Sequence, residues 1–221
     1  MKIVNVHAHA PDGHQLTVLQ SDGLTINEAG QLHSAGIHPL KEIPDAAEEI
    51  ARLEKALQHP ACIAIGESGL DKASPLTTEM QQQLFREQMK LSEIHGLPVI
   101  IHCVGRWNEL ELLLKERKPD APEWIIHGFR KAKLADKFLS LGANLSFGKA
   151  LLYDEHLHAL IPSIPVEKLF LETDDEVFDI LLLYEKLAEL RCESVEAVAE
   201  QLYRNFRRVF PKAEHEINIK L

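Results

Sequence analysis

The sequence predicts an α/β fold, a (β/α) barrel of TIM type with seven to eight strands in a distorted ring, and three observations carry that expectation. Short apolar runs without polar alternation read as strands of a parallel sheet buried on both faces. Segments with apolar residues at helical spacing separate them. Five of the runs end on a residue able to bind a metal, and a barrel gathers the C-terminal ends of its strands on one face.

Taken in order, Ile3-Val4-Asn5-Val6 leads into His7-Ala8-His9, two imidazoles at i and i+2 that share one side of a strand. Pro11-Asp12-Gly13 is a turn signal, Leu16 to Gln20 a short strand, Ser21-Asp22-Gly23 a second turn, and Gln31 to Ile37 a strand that closes on His38-Pro39. Asp45 caps a helix over Ala46 to Leu57, with Ile50, Leu53 and Leu57 on one side. The run Ala61 to Gly66 ends in Glu67, and Thr78 with Gln81 makes a capping box for a helix reaching His95, stopped by Gly96. Pro98 to Ile101 ends in His102, followed by a helix from about Asn108 to Lys118. Glu123 to Ile126 ends in His127, followed by a helix over Lys133 to Leu141. Ala143 to Phe147 is the next strand and Tyr153 to Leu160 a short helix; Lys168 to Leu171 then runs into Glu172-Thr173-Asp174-Asp175. Helices over Asp179 to Arg191 and, behind Ser194, Val195 to Phe210 close the chain. No linker or repeat divides residues 1–221, which reads as one domain.

Composition excludes several classes. At 221 residues, 45% hydrophobic and 26% charged, the chain is an ordinary globular one with no membrane-length apolar run and no signal-type start, which points to the cytoplasm. Cys62, Cys103 and Cys192 are too scattered for a disulfide framework or zinc knuckle and read as small buried apolar residues. A net charge of −10 argues against a protein that coats nucleic acid, because that affinity comes from basic residues on phosphates. A small metal-assisted phosphate site remains compatible with it.

His7, His9, Glu67, His102, His127 and Asp174 all fall at strand ends. Four imidazoles and two carboxylates are too many for one four-coordinate ion with an open position, and suit two ions that share a carboxylate. Glu67, on a middle strand, is the natural bridge. His7, His9 and Asp174 then serve one ion, and Glu67, His102 and His127 the second. The donors accept zinc, manganese or, less readily, magnesium. Arg106 and Arg130 lie on loops at the same mouth, where they can hold substrate phosphates. His14, His33, His59, His95, His156, His158 and His215 fall on turns or helices and read as surface or packing residues.

The ordered motifs HAH, GIHP, AIGESGLD, PVIIH, IIHGF and LETD, with the closing Asn205 to Phe210, resemble the TatD family of metal-dependent deoxyribonucleases in the amidohydrolase-type barrel group. The resemblance implies a two-metal hydrolase whose ligand positions are His7, His9, Glu67, His102, His127 and Asp174. His38 and Asp71 fall on further active-site motif positions, as substrate-binding residues. It also implies that catalysis rests on Asp174 and Glu67, that Asp174 takes a proton from the attacking water, and that the substrate is a single-stranded DNA end or a small phosphoester. Glu172 and Thr173 are expected in supporting roles. Two departures are visible. The span from His9 to Gly36 is too short for a full helix, strand and helix passage, so a trimmed N-terminal βα unit with a hairpin is expected. After LETD the chain enters a helix almost directly, which shortens the substrate wall. The competing readings are an amidohydrolase-type enzyme acting on a small phosphoester, ester or amide, and a non-catalytic metal-binding protein.

Overall fold

The computed structural model describes residues 1–14, 16–21 and 31–213. Eight strands follow one another around a single sheet in chain order, every neighbouring pair parallel: β1 Val4–Ala8, β2 Leu16–Ser21, β3 His33–Ala35, β4 Cys62–Asp71, β5 Val99–Val104, β6 Trp124–Ile126, β7 Asn144–Phe147 and β8 Leu169–Leu171. The ring closes just beyond β8, where Asp174 N donates to His7 O at 3.1 Å and His9 N to Asp174 O at 2.9 Å. The helices are α1 Ala46–Ala56, α2 Thr78–His95, α3 Trp107–Lys115, α4 Ala135–Ser140, α5 Glu155–Leu160, α6 Leu181–Arg191 and α7 Val195–Val209. None is long and apolar enough to cross a membrane among the described residues.

The expected hairpin is absent among the described residues. β1 and β2 are parallel, with Val4 opposite Leu16. Parallel strands ordinarily need a crossover of a dozen residues, but the chain has only to return from Ala8 to the level of Val4, about 13 Å at ~3.3 Å per residue. Residues 9–14, none of them helical, are enough to cover that distance. Asp12 turns the link, its Oδ1 accepting from His14 N at 3.0 Å and from the Thr17 hydroxyl. The expected turn at residues 22 and 23 and the assignment of His215 lie outside the described residues.

Several boundaries move for local reasons. α2 is capped by Thr77, whose Oγ1 accepts from Met80 N; Gln81 forms no capping box with Thr78 and instead reaches the end of β4, accepting from Asp71 N at 2.8 Å. The helix expected over Lys133 to Leu141 is a 3₁₀ turn, Ala132–Leu134, followed by α4. Asp45 and Ser194 cap α1 and α7 as their sequence contexts predict. Cys62 and Cys103 are buried, but Cys192 is exposed, because it ends α6 in the left-handed conformation usual for a C-terminal cap. His33 lies on β3 and is buried against the His59 ring.

The core has two parts. Alternate residues such as Val99, Ile101, Trp124, Ile126, Leu169 and Leu171 pack the sheet against the helices. A smaller cluster joins Ile63, Ile100, Ile125 and Phe170 to Phe206 and Phe210 at the end of α7. Ile100 shares a side of β5 with His102 two residues on, and Ile125 stands in the same relation to His127, so apolar side chains underlie both histidines.

Candidate metal centre

The six predicted ligands converge at the C-terminal end of the barrel. Glu67 lies at their centre with its side chain 4% exposed, and its two oxygens face different groups. Oε1 is 2.6 Å from His7 Nε2 and 3.2 Å from His9 Nε2; Oε2 is 3.4 Å from His102 Nδ1 and 3.6 Å from His127 Nε2. Asp174 Oδ1 sits on the first side, 3.3 Å from His7 Nε2 and 3.5 Å from His9 Nε2. His102 Nδ1 and His127 Nε2 are 3.2 Å apart.

Two glycines make the close approach possible. A Cβ on Gly69, which pairs with His102 across β4 and β5, would lie 1.9 Å from the His102 carbonyl oxygen, and one on Gly36 would lie 2.6 Å from that of Glu67. Only glycine lets these strands pass at this separation, which explains the spacing of Gly66-Glu67-Ser68-Gly69.

Both histidines of the second group have a carboxylate behind them. His102 Nε2 is 2.9 Å from Asp71 Oδ2, which turns Nδ1 toward Glu67. His127 Nδ1 is 3.4 Å from Glu172 Oε1, which turns Nε2 toward Glu67. Such partners fix the tautomer and orientation of a ligating imidazole. Asp71, expected to bind substrate, is therefore reassigned: it is buried, and its other oxygen accepts from Ala73 N at 2.7 Å, so its carboxylate is committed to His102 and the turn. Glu67 and Asp71 are four residues apart on one strand, which places them on the same side and was the available signal. Glu172 also accepts from Gly128 N at 2.6 Å, and Thr173 Oγ1 accepts from Asn5 at 2.8 Å, the supporting roles expected of both.

His38 approaches from the other flank, Nε2 2.8 Å from Glu67 Oε2. Its Nδ1 accepts from Leu40 N at 3.1 Å, so the proton lies on Nε2 and is donated to the carboxylate. Arg130 lines a cavity of about 220 Å³ shared with His102, His127, Glu172 and Asp174. Arg106 does not line it; its guanidinium leans back to Glu109 at 3.4 Å.

Sequence reasoning missed Asn5. Fully buried, it accepts from Thr173 N at 3.2 Å through Oδ1 and donates from Nδ2 to Thr173 Oγ1 and to Asp12 Oδ2, the latter at 2.7 Å. The clamp fixes the residue before Asp174, which is held at φ +56°, a conformation uncommon for a non-glycine residue. A neutral side chain inside an apolar run gave no signal beyond its place two residues before His7.

The donor set fits a cation. Burial by itself pushes His7 toward a low pKa, yet the Asp174 and Glu67 carboxylates overcome it and carry the imidazole up to about 10. Glu67 is held far below the carboxylate range by the surrounding imidazoles despite its burial. Asp174 is lowered chiefly by His7, again against burial. The buried carboxylates thus draw positive charge to the cluster, the role a bound cation would fill. His7 Nδ1 and Nε2 and Glu172 Oε2 are buried without a hydrogen bond of acceptable geometry, an expense proteins rarely leave uncompensated. Nitrogen and carboxylate donors of this kind suit zinc or manganese.

The family model described as TatD related DNase matches residues 23–211. The chain is 30% identical over 200 residues to the 3'-5' ssDNA/RNA exonuclease TatD of Erwinia amylovora, covering 80% of this chain and 77% of that protein. It is 28% identical over 194 residues to an uncharacterized metal-dependent hydrolase, YabD, of Bacillus subtilis, covering 79% of this chain and 75% of that protein. The crystal structure of YjjV, a TatD homolog from Escherichia coli K12, shares the fold with a TM-score of 0.80 at 23% identity, over 95% of this chain and 98% of that one. The chain belongs to the TatD-related DNase family of metal-dependent hydrolases.

Proposed function

We propose that the protein is a two-metal phosphodiesterase that releases nucleotides from single-stranded DNA, as a 3'-5' exonuclease. The observation that carries this reading is the division of Glu67, with one oxygen toward His7 and His9 and the other toward His102 and His127. His7, His9 and Asp174 would hold one divalent ion, His102 and His127 the second, with Glu67 shared. Two such ions supply a water of lowered pKa and polarise a phosphoryl oxygen.

The chain's own groups do the rest. Asp174, its side chain 36% exposed at the cavity, takes the proton of the attacking water and passes it to the leaving oxygen. Asp71 and Glu172 hold the imidazoles of His102 and His127 in their tautomers. His38 donates to Glu67 and so keeps that carboxylate from rotating. Arg130 and Lys149, both on the cavity wall, bind phosphate oxygens. The three cysteines are unpaired, which suits the reducing cytoplasm.

A second reading, a hydrolase of small phosphoesters, is favoured by the cavity itself: at about 220 Å³ it is smaller than most ligand pockets, roughly 300–1,000 Å³. One experiment separates the two. End-labelled single-stranded DNA is incubated with protein reconstituted with magnesium, manganese or zinc, beside Asp174→Asn. Metal-dependent release of mononucleotides that the variant lacks supports the exonuclease. No release, from protein that still binds two ions per chain, overturns it in favour of the small-ester enzyme.

A further inference from the structure

We propose that Tyr153 is a stacking platform for a nucleobase of the substrate, flanked by Arg130 and Lys149 on the phosphate backbone; this rests on the nuclease reading above. The net charge of the chain is −10, yet Arg130 after β6 and Lys149 after β7 both line the cavity, with Lys131 and Lys133 following Arg130 in sequence. Beside them Tyr153 is 60% exposed, a large aromatic ring presented to solvent.

Two further observations tie that ring to the site. Arg130 lines the cavity with His127 and Asp174, and its Nη2 donates to the Tyr153 hydroxyl at 3.3 Å across two separate loops. The backbone under the ring is fixed: Tyr153 N donates to Ala150 O at 3.2 Å, closing the 3₁₀ turn Lys149–Leu152, and the next residue, Asp154, caps α5. Lys149 and Ala150, at the start of that turn, line the cavity as well. An exposed ring on a fixed turn beside cations is the kind of arrangement by which proteins hold single strands, the base on the ring and the phosphates on the cations. Every base has a π-face, so the contact gives affinity without reading sequence.

Lys149 Nζ is 2.5 Å from Glu176 Oε2. An incoming phosphate therefore competes with Glu176 for Lys149, whereas the Tyr153 ring is exposed to an incoming base.

The test is a cycle of protein and substrate. Cleavage is measured on a single-stranded oligothymidylate and on the same strand carrying an abasic residue at the terminal or the penultimate position, with wild-type protein, Tyr153→Ala, Tyr153→Phe and Arg130→Ala. For wild type, kcat/KM falls on one of the abasic strands by roughly five- to a hundredfold, the range that stacking supplies. Tyr153→Ala loses about as much on the intact strand and no longer distinguishes it from the abasic one. Tyr153→Phe keeps the distinction, because the ring remains. Arg130→Ala weakens all strands alike and shallows the salt dependence by about one unit of slope. Tyr153→Ala that still distinguishes the strands as wild type does would overturn the platform and leave the nuclease standing. Wild-type protein that cleaves none of the strands overturns both.

Discussion

The barrel carries a polar network at each end, and the two are built on opposite principles. At the mouth, Glu67 is surrounded by imidazoles, Asp174 and Glu172 stand close by, and buried atoms of His7 and Glu172 are left without hydrogen-bond partners. At the other end, just before β6 and beside β7, Glu123 binds Arg208 of α7, Asn144 and Lys168; Arg208 also donates to Glu167 O at 2.7 Å, and Asn205 donates to Val166 O and Leu169 O at 2.8 and 3.0 Å. Acids there meet bases and amides meet carbonyls, and none of these side chains has a buried polar atom lacking a partner. The lower network holds α7 against the barrel and is complete. The upper one is complete only with something added, which is how a ligand site differs from a structural one when both are polar.

Separate substitutions should make that difference measurable. The largest effect is expected for Asp174→Asn, which lowers turnover by about 10²–10⁴-fold, the usual contribution of a positioned proton acceptor, while the unfolding midpoint of the metal-free protein stays where it was. Glu67→Gln should reduce bound metal below two equivalents per chain by elemental analysis, because each half of the site loses the carboxylate oxygen that Glu67 lends it. Asn5→Ala releases the clamp on Thr173 and should cost about 10–100-fold in activity or metal affinity, the range for partners of ligating groups. Chelation should lower the stability of wild type by about 2.7 kcal/mol where the metal had been present at 100 times its Kd, and should leave Glu67→Gln almost unaffected. An unchanged thermal midpoint on chelation of fully loaded wild type would remove the distinction between the two networks.

The lower network gives the smaller, inverse result. Arg208→Ala should destabilise by about 1–2 kcal/mol in denaturant titration, modest because the pair is partly exposed, with metal content and turnover per folded molecule unchanged. Its pH response has a definite sign. Burial tends to raise Glu123, but Arg208, Asn144 and Lys168 hold it below its ordinary value of 4.5. Its stabilising contribution is thus present above pH 4.5 and is lost as pH falls through the lower folded value. Glu123→Gln should flatten that acid limb; a variant with the full wild-type slope would show that the acid sensitivity lies elsewhere.

How much of this was legible depended on whether a residue announced itself by contrast. His102 and His127 stood out because each ends an unbroken apolar run, and a barrel brings such ends together whatever their distance in sequence. Asp71 was legible as a residue on the same side of its strand as Glu67, but its partner was not, since the pairing of β4 with β5 is what brings it to the back of His102. Asn5 and the parallel course of β1 and β2 were not legible: one is a neutral side chain, and the other depends on how far back along the barrel the chain must travel. Arg106 and Arg130 looked alike as basic loop residues, and the nearer partner, Glu109 for one and Tyr153 for the other, separated them.

The seam between β1 and the end of β8 passes through the backbone of Asp174, which sits at φ +56° with its amide and carbonyl both bonded across the closure. That geometry restricts the position independently of any chemistry, since only glycine, asparagine and aspartate adopt it readily. A descendant that had given up hydrolysis would still be selected for one of those three residues, to keep its barrel shut. Persistence of an aspartate at this position in a divergent lineage is therefore weak testimony for a working enzyme, whereas persistence of Glu67, whose carboxylate closes no seam, is strong testimony.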